Sequence, residues 1–268
     1  MSQAGLTPAS SSGDWDARTY DALPLPHEAW GRRIVTALPR YVDLGAGARV
    51  LDAGCGTGRD AALLLDGHPG VDLTCLDASP AMLSAARERL GERAAYVEAS
   101  LGLPVSDLPD FAVPFDAVMS VAAFHWVADH DALFGELADV LRPGGVLISD
   151  CGGAGQLRIV NAAIAAVTGD DGDPWQFAGV DETRARLAAG GFESLHVGLR
   201  PHPLRLTDPA LLERYLATVI LSGHLRRMPV ASHASFVTAV REAMAEPVID
   251  YVRLELVARR LSPTHRAP

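Results

Sequence analysis

The sequence predicts an α/β fold: a doubly wound, mostly parallel seven-stranded sheet, preceded by a helical cap and carrying a helical lid insertion late in the chain. Three observations carry this expectation. Short apolar runs alternate with helical stretches from Ala48 to Asp150, as a parallel sheet covered on both faces requires. A glycine-rich turn joins the first strand to the helix after it. The last two strand candidates are separated by a long stretch, 198–247, that must leave the sheet and return.

A short helix around Asp14 and a second over His27–Leu38, with Pro26 at its first turn, form the cap. Arg49–Leu51 is the first strand, and the glycine-rich turn opens a helix over Arg59–Leu65. Val71–Leu76 is the second strand. Ser79 and Pro80 supply an N-cap and a first-turn residue for a helix over Ala81–Leu90, and Ala95–Val97 is the third strand. Asp116–Val121 is the fourth. A helix over His130–Leu141 must stop before Pro143, and the Pro143-Gly144-Gly145 turn delivers the fifth strand, Gly145–Ser149. Leu157–Val167 is helical, an acidic glycine-rich loop follows, and Asp181 caps a helix ending at Gly190-Gly191. Phe192–Val197 and Val248–Val257 are the last two strands. The final one alternates apolar and polar residues with period two, so it is expected at the sheet edge, in an antiparallel hairpin with one wet face.

Composition narrows the function classes. With 268 residues, 49% hydrophobic and 21% charged, the chain has the makings of one large folded domain. All 23 basic residues are arginine, against 33 acidic ones, for a formal charge of -10. The absence of lysine removes Schiff-base chemistry, and the acidic balance argues against a nucleic-acid partner. Cys55, Cys75 and Cys151 match no zinc or redox spacing. Met1–Gly13 lacks the cationic start and apolar run of a secretion signal, and stretches such as Ile159–Gly169 are too short to span a bilayer. The expectation is a cytoplasmic protein with a small-molecule partner, no metal, no nucleic acid and no membrane.

The chemistry concentrates in Val50–Asp60, where a strand runs into a turn with glycine at Gly54, Gly56 and Gly58. Bare backbone lets a ligand approach closely, and the helix N-terminus favours a negative or polar group. Dinucleotide binders need Gly-x-Gly-x-x-Gly, and Arg59 stands where the third glycine belongs, which disfavours an NAD-dependent oxidoreductase.

Preceded by Asp52, this Gly-x-Gly-x-Gly turn resembles motif I of the class I S-adenosylmethionine-dependent methyltransferases. Asp77 stands 23 residues past Gly54, where a carboxylate can accept hydrogen bonds from two vicinal ribose hydroxyls. Ser79-Pro80-Ala81-Met82-Leu83 resembles the family's continuation, Leu141–Gly145 its turn before the fifth strand, and Phe124-His125-Trp126-Val127 the substrate-facing segment of small-molecule methyltransferases. Trp15 and Tyr20 are similar to the N-terminal cap of the trans-aconitate and malonyl-carrier-protein methyltransferase group, and Val252–Arg260 to its closing strand. One departure stands out: Ala99-Ser100 replaces the family's usual Ala-Asp, leaving a serine hydroxyl and the backbone near Leu101 to meet the adenine.

The resemblance implies a Rossmann-like fold and S-adenosyl-L-methionine as cofactor, with S-adenosyl-L-homocysteine as product. It implies cofactor contacts from Tyr20, Asp52, Gly54, Cys55, Gly56, Asp77, Ala78, Met82, Ser100, Leu101 and Val121. For Asp52 an indirect role in orienting the backbone stands beside direct contact, and Cys55 contributes its backbone. One domain is expected over 14–260, flanked by tails at 1–13 and 261–268. Within it, 14–47 is the cap, 48–150 the cofactor-binding half and 151–260 the substrate half, with the lid at about 207–246.

His125 is the candidate catalytic residue, because it stands where the methyl group should emerge. Base, substrate hydrogen-bond partner and structural histidine all remain open for it. Arg18 and Trp126 are the other substrate-facing candidates, and Arg205, Arg226 and Arg227 are arginines able to clamp a carboxylate. The acceptor is either a carboxylate, which needs no base, or the hydroxyl or amine of a specialised metabolite, which does. A protein that binds the cofactor but catalyses a non-methyl reaction, or serves as a binding module, is the alternative.

Overall fold

The computed structural model describes residues 26–106, 108–169 and 175–262. The expected helix around Asp14, together with Trp15, Arg18 and Tyr20, lies outside the described residues.

Helix α1 (His27–Ala37) precedes β1 (Arg49–Ala53), whose turn enters α2 (Arg59–Gly67) through Gly58 at φ 74°. Strand β2 (Asp72–Asp77) leads to α3 (Pro80–Leu90), where the Ser79 hydroxyl caps the helix by accepting from Met82 N–H at 3.1 Å. Strands β3 (Ala94–Glu98) and β4 (Phe115–Val121) follow, then α4 (His130–Val140) and β5 (Leu141–Gly152). Helix α5 (Arg158–Thr168) and α6 (Val180–Ala189) come before β6 (Phe192–Pro201). The cap of α6 is Gly179 rather than Asp181, which falls in its first turn.

The seven strands form one sheet in the order β3-β2-β1-β4-β5-β9-β6, and β9 (Val252–Arg260) alone runs antiparallel to its neighbours. The order reverses between β1 and β4, so their carboxyl ends diverge and open a crevice there. One face is packed by Phe115, Phe124, Phe134 and Leu137 among others, and the opposite face by Ile34, Leu38, Leu64 and Leu83. A third apolar cluster, containing Trp30, Tyr215, Val237 and Tyr251, joins α1 to the late helices.

Between β6 and β9 lie β7 (Leu204–Arg205), α7 (Pro209–Tyr215), a π-helical turn over Leu216–Ile220, α8 (Ser222–Leu225) and α9 (His233–Ala243). The expected single strand Val248–Val257 is split. Its start, β8 (Val248–Ile249), pairs with β7 in a separate ribbon. Asp250 causes the break: its carboxylate accepts from Ile159 N–H at 3.2 Å and its carbonyl from Leu157 N–H at 3.2 Å, so the chain turns toward the start of α5. The expected antiparallel pairing at the sheet edge is present, β9 with the edge strand β6, but the expected wet face is not. Strand β9 lies between β5 and β6, and its polar residue Arg253 is 1% exposed.

Candidate functional site

The glycine turn is pinned from two sides. Gly54 and Cys55 both donate N–H to the Leu76 carbonyl, at 2.8 and 2.9 Å. The Asp77 carboxylate accepts from Gly56 N–H through one oxygen and from Ser79 N–H through the other, each at 2.9 Å. From α3, Arg89 donates to the Thr57 carbonyl and hydroxyl. Gly54 has φ 80°, and a β-carbon there would collide with that of Ala123; at Gly56, φ 54°, a β-carbon would meet nothing within 4 Å.

This turn forms the wall of a cavity of about 720 Å³ at the crevice between β1 and β4. Of the residues expected to contact a cofactor, Gly54, Cys55, Gly56, Asp77, Ala78, Met82, Ser100, Leu101 and Val121 all line it, as do Trp126 and Arg226. Asp52 does not. It is buried behind the turn at 2% exposure, with Oδ2 unpartnered, and burial first, then the neighbouring Cys75, Asp60 and Asp77, holds its carboxyl well above the carboxylate range. The geometry therefore favours the indirect role for Asp52 over direct contact. The Cys55 thiol is held protonated by its contact with Cys75 and by burial, which leaves its backbone as the useful part. The sequence reading missed Arg59 and Asp60, in the first turn of α2, and His27 and Glu28, which α1 brings to the same cavity. The adjacent charges at 59 and 60, right after the glycine turn, were the available signal.

A second cavity, of about 60 Å³, shares His27, Ala122 and Trp126 with the first. Ala122 has φ 57°, a sharp bend at the end of β4 that shapes both spaces. Trp175 and Phe177 stack at 5.7 Å to form a flat wall, with His125 5.9 Å from Phe177, and the π-helical turn closes the top through Val219 and Ile220. At the rear lies Arg253. Its Nε donates to Asp150 Oδ1 at 2.6 Å, its Nη2 to the Asp150 carbonyl at 3.1 Å and its Nη1 to Gln156 at 3.3 Å, while the guanidinium sits 3.7 Å over Trp30. Its remaining N–H groups have no acceptor among the described residues. Arg200 and Arg33 join the network through Asp150 and Glu255, so three guanidiniums face two carboxylates. Of these charged groups only Arg253 lines the chamber itself.

His125 opens onto the small cavity rather than the large one. Its Nδ1 accepts from Gly152 N–H at 3.2 Å, so the neutral ring carries its proton on Nε2, which has no partner among the described residues. Burial, reinforced by Arg253, His27 and His130, lowers its pKa well below the ordinary histidine range. This geometry makes His125 a donor and weighs against its role as a base. Arg205 is exposed and paired with Glu246 at 2.8 Å, His224 stacks on Phe236, and His233 bonds the Met228 carbonyl; none of these lines either cavity.

A methyltransferase-domain family model matches residues 51–147. The malonyl-[acyl-carrier protein] O-methyltransferase of Geobacter sulfurreducens is 32% identical over 189 residues, covering 68% of this chain and 68% of that relative. The chain belongs to the class I S-adenosylmethionine-dependent methyltransferases. A trans-aconitate 2-methyltransferase of Paracidovorax citrulli is 28% identical over 272 residues, spanning 92% of this chain and 98% of its own. Among solved structures, the phosphoethanolamine N-methyltransferase 2 of Haemonchus contortus, complexed with phosphomonomethylethanolamine and S-adenosylhomocysteine, superposes with a TM-score of 0.53. It shares 19% identity over 86% of this chain and 53% of that one, a likeness of fold. This methyltransferase uses S-adenosylmethionine, and its large cavity fits that cofactor: a bare glycine wall, a carboxylate at the end of β2 and an apolar slot by Met82 and Leu101. Among the described residues, no helix is long and apolar enough to cross a membrane, and no cluster of three or more His, Cys, Asp or Glu could hold a metal.

Proposed function

We propose that this methyltransferase methylates a carboxylate oxygen of a small acid seated in the smaller cavity. The observation that carries the reading is the donor state of His125. With Nδ1 accepting from Gly152 and its pKa held well below the ordinary histidine range, His125 is a poor base near neutral pH, which favours an acceptor that arrives already ionised. A carboxylate meets that requirement at pH 7 and a hydroxyl or ammonium does not. The positive field of Arg253 and the names of the malonyl-carrier-protein and trans-aconitate relatives, both acting on acids, support the same class.

S-adenosylmethionine supplies a methyl group already activated on a sulfonium. On this reading Asp77 accepts the ribose hydroxyls, Gly54 and Gly56 let the cofactor lie against backbone, and Met82, Ser100 and Leu101 form the adenine slot. Val121, Cys55 and Ala78 complete the wall, while Tyr20 keeps the cofactor contact that the resemblance implies and Arg18 its place as a substrate-facing candidate. His125 Nε2–H and the uncommitted N–H groups of Arg253 orient the acceptor, and Trp126, Trp175 and Phe177 exclude water. Alignment is the main catalytic device and can lower the barrier by about 7–11 kcal/mol.

The test is a panel of small carboxylic acids with their matched alcohols and amines, scored by mass for methyl addition. Methylation confined to the acids, with kcat flat from pH 6 to 8, is expected, and His125→Gln should raise KM while leaving that flat profile. Methylation of the alcohols or amines alone, or a rising pH limb that His125→Gln abolishes, would refute the proposal.

A further inference from the structure

The large cavity contains a carboxylate to which the assignments above give no task. Asp60, in the first turn of α2, lines that cavity, yet among the described residues it accepts no hydrogen bond. Helix α1 covers its other side: a β-carbon at Gly31 would overlap the Asp60 carboxyl, so the glycine lets the helix seal this end of the cavity. Arg59 shares its turn. His27 and Glu28 face it from α1, Asp52 from β1, Arg89 from α3 and Asp150 from β5. Glu28 and Arg59 also line the cavity, which gives its end groups of both signs beside one carboxylate with no hydrogen-bond donor among the described residues.

We infer that Asp60 receives the α-ammonium of the cofactor's methionine end, with Arg59 beside it for the α-carboxylate, and that Asp60 releases its proton to solvent when the cofactor binds. The inference rests on the cofactor assignment of the large cavity and is independent of the acceptor. Burial holds the free carboxyl near neutrality, up to about 7, with Arg59 pulling it down and Asp150 and Glu28 pushing it up. His27, held at about 3 by burial and by Arg253 and Arg59, stays neutral and does not contribute to a titration near pH 7. The sign follows from linkage: a cationic ligand favours the ionised carboxylate, so affinity rises with pH until Asp60 is ionised before binding. With a free pKa of about 7, S-adenosylhomocysteine should bind about tenfold more tightly at pH 8 than at pH 6.

Isothermal titration calorimetry in pairs of buffers with different ionisation enthalpies counts the protons. With S-adenosylhomocysteine, about 0.9 proton should be released per site at pH 6, about 0.5 at pH 7 and about 0.1 at pH 8. 5′-Methylthioadenosine, the same nucleoside without the amino-acid end, should release none from the wild type, a control that needs no variant. Asp60→Asn, which removes a charge repelled by Glu28 and Asp150, should bind S-adenosylhomocysteine with no proton release and less than twofold change across the pH range. Saturable binding without proton release at pH 6 would overturn the inference alone, as would equal release with 5′-methylthioadenosine or release retained in Asp60→Asn. Absence of any nucleoside binding by folded wild type would overturn the cavity assignment together with it.

Discussion

Two glycines of one turn should fail in opposite ways when each is given a single methyl group. Gly54 sits at φ 80° with the Ala123 β-carbon in the space that a side chain would need. Alanine there combines a left-handed backbone, about 1–2 kcal/mol, with overpacking against the end of β4, about 1–3 kcal/mol. The sum, about 2–5 kcal/mol, corresponds to a drop in melting temperature of roughly 4–20 °C for a domain of this size. Gly56 is at φ 54° and a β-carbon would meet nothing within 4 Å, so Gly56→Ala carries only the backbone cost, about 1–2 kcal/mol. Its methyl group, however, projects from the wall of the cavity. Thermal unfolding of the free protein and calorimetric titration with S-adenosylhomocysteine separate the two effects. Gly54→Ala should lose stability first, while Gly56→Ala should keep most of its stability and lose at least tenfold in affinity. A Gly54→Ala protein as stable as the wild type, or a Gly56→Ala protein with unchanged affinity, would refute the assignment of these glycines to a packed joint and a ligand wall.

Asp77→Ala removes the acceptor of two backbone N–H groups as well as the proposed ribose contact; at about 1.5–3 kcal/mol per charged hydrogen bond, calorimetry should show affinity for S-adenosylhomocysteine falling by at least about a hundredfold. Arg253→Met leaves Asp150 buried opposite an apolar group and should cost about 3–5 kcal/mol in urea unfolding, whereas the double variant with Asp150→Asn should recover part of that loss. If the double variant is no more stable than Arg253→Met alone, the stranded charge is not the cause.

The cofactor half was legible because its signals are local. Gly54, Gly56, Asp77 and Ser79 act within a few residues of their own strand ends, and spacing along the chain reports them directly. The smaller cavity was not, because it is assembled from α1, the β4 end, the 175–177 stretch, the π-helical turn and β9, which only the folded sheet brings together. Arg253 shows the difficulty well. Period-two alternation placed it on a wet face, but the antiparallel strand is sandwiched between β5 and β6, and Asp150 supplies the partner that lets the charge be buried. His125 was singled out by position while its chemistry stayed open, since no sequence pattern announces that Gly152 will donate to its Nδ1.

The two cavities carry different charged groups, and that arrangement bears on turnover as well as binding. Asp60, Asp77 and Glu28 line the large cavity together with Arg59 and Arg226, while Arg253, in a network with one more guanidinium than carboxylate, lines the small one. His27 belongs to both walls and is kept neutral by burial and by arginines from each side, so it separates the two regions without adding a charge to either. On the proposed reading the positive charge of the sulfonium and the negative charge of the acceptor cancel in the reaction, leaving a thioether and an ester. Arg253 then faces an ester without the charge that it attracted, and the carboxylates of the large cavity face a product with one positive charge fewer. The chamber that gathers the reactants through charge thus loses its hold on the products through the same chemistry, and with no base to reprotonate, the site is ready for the next pair as soon as they leave.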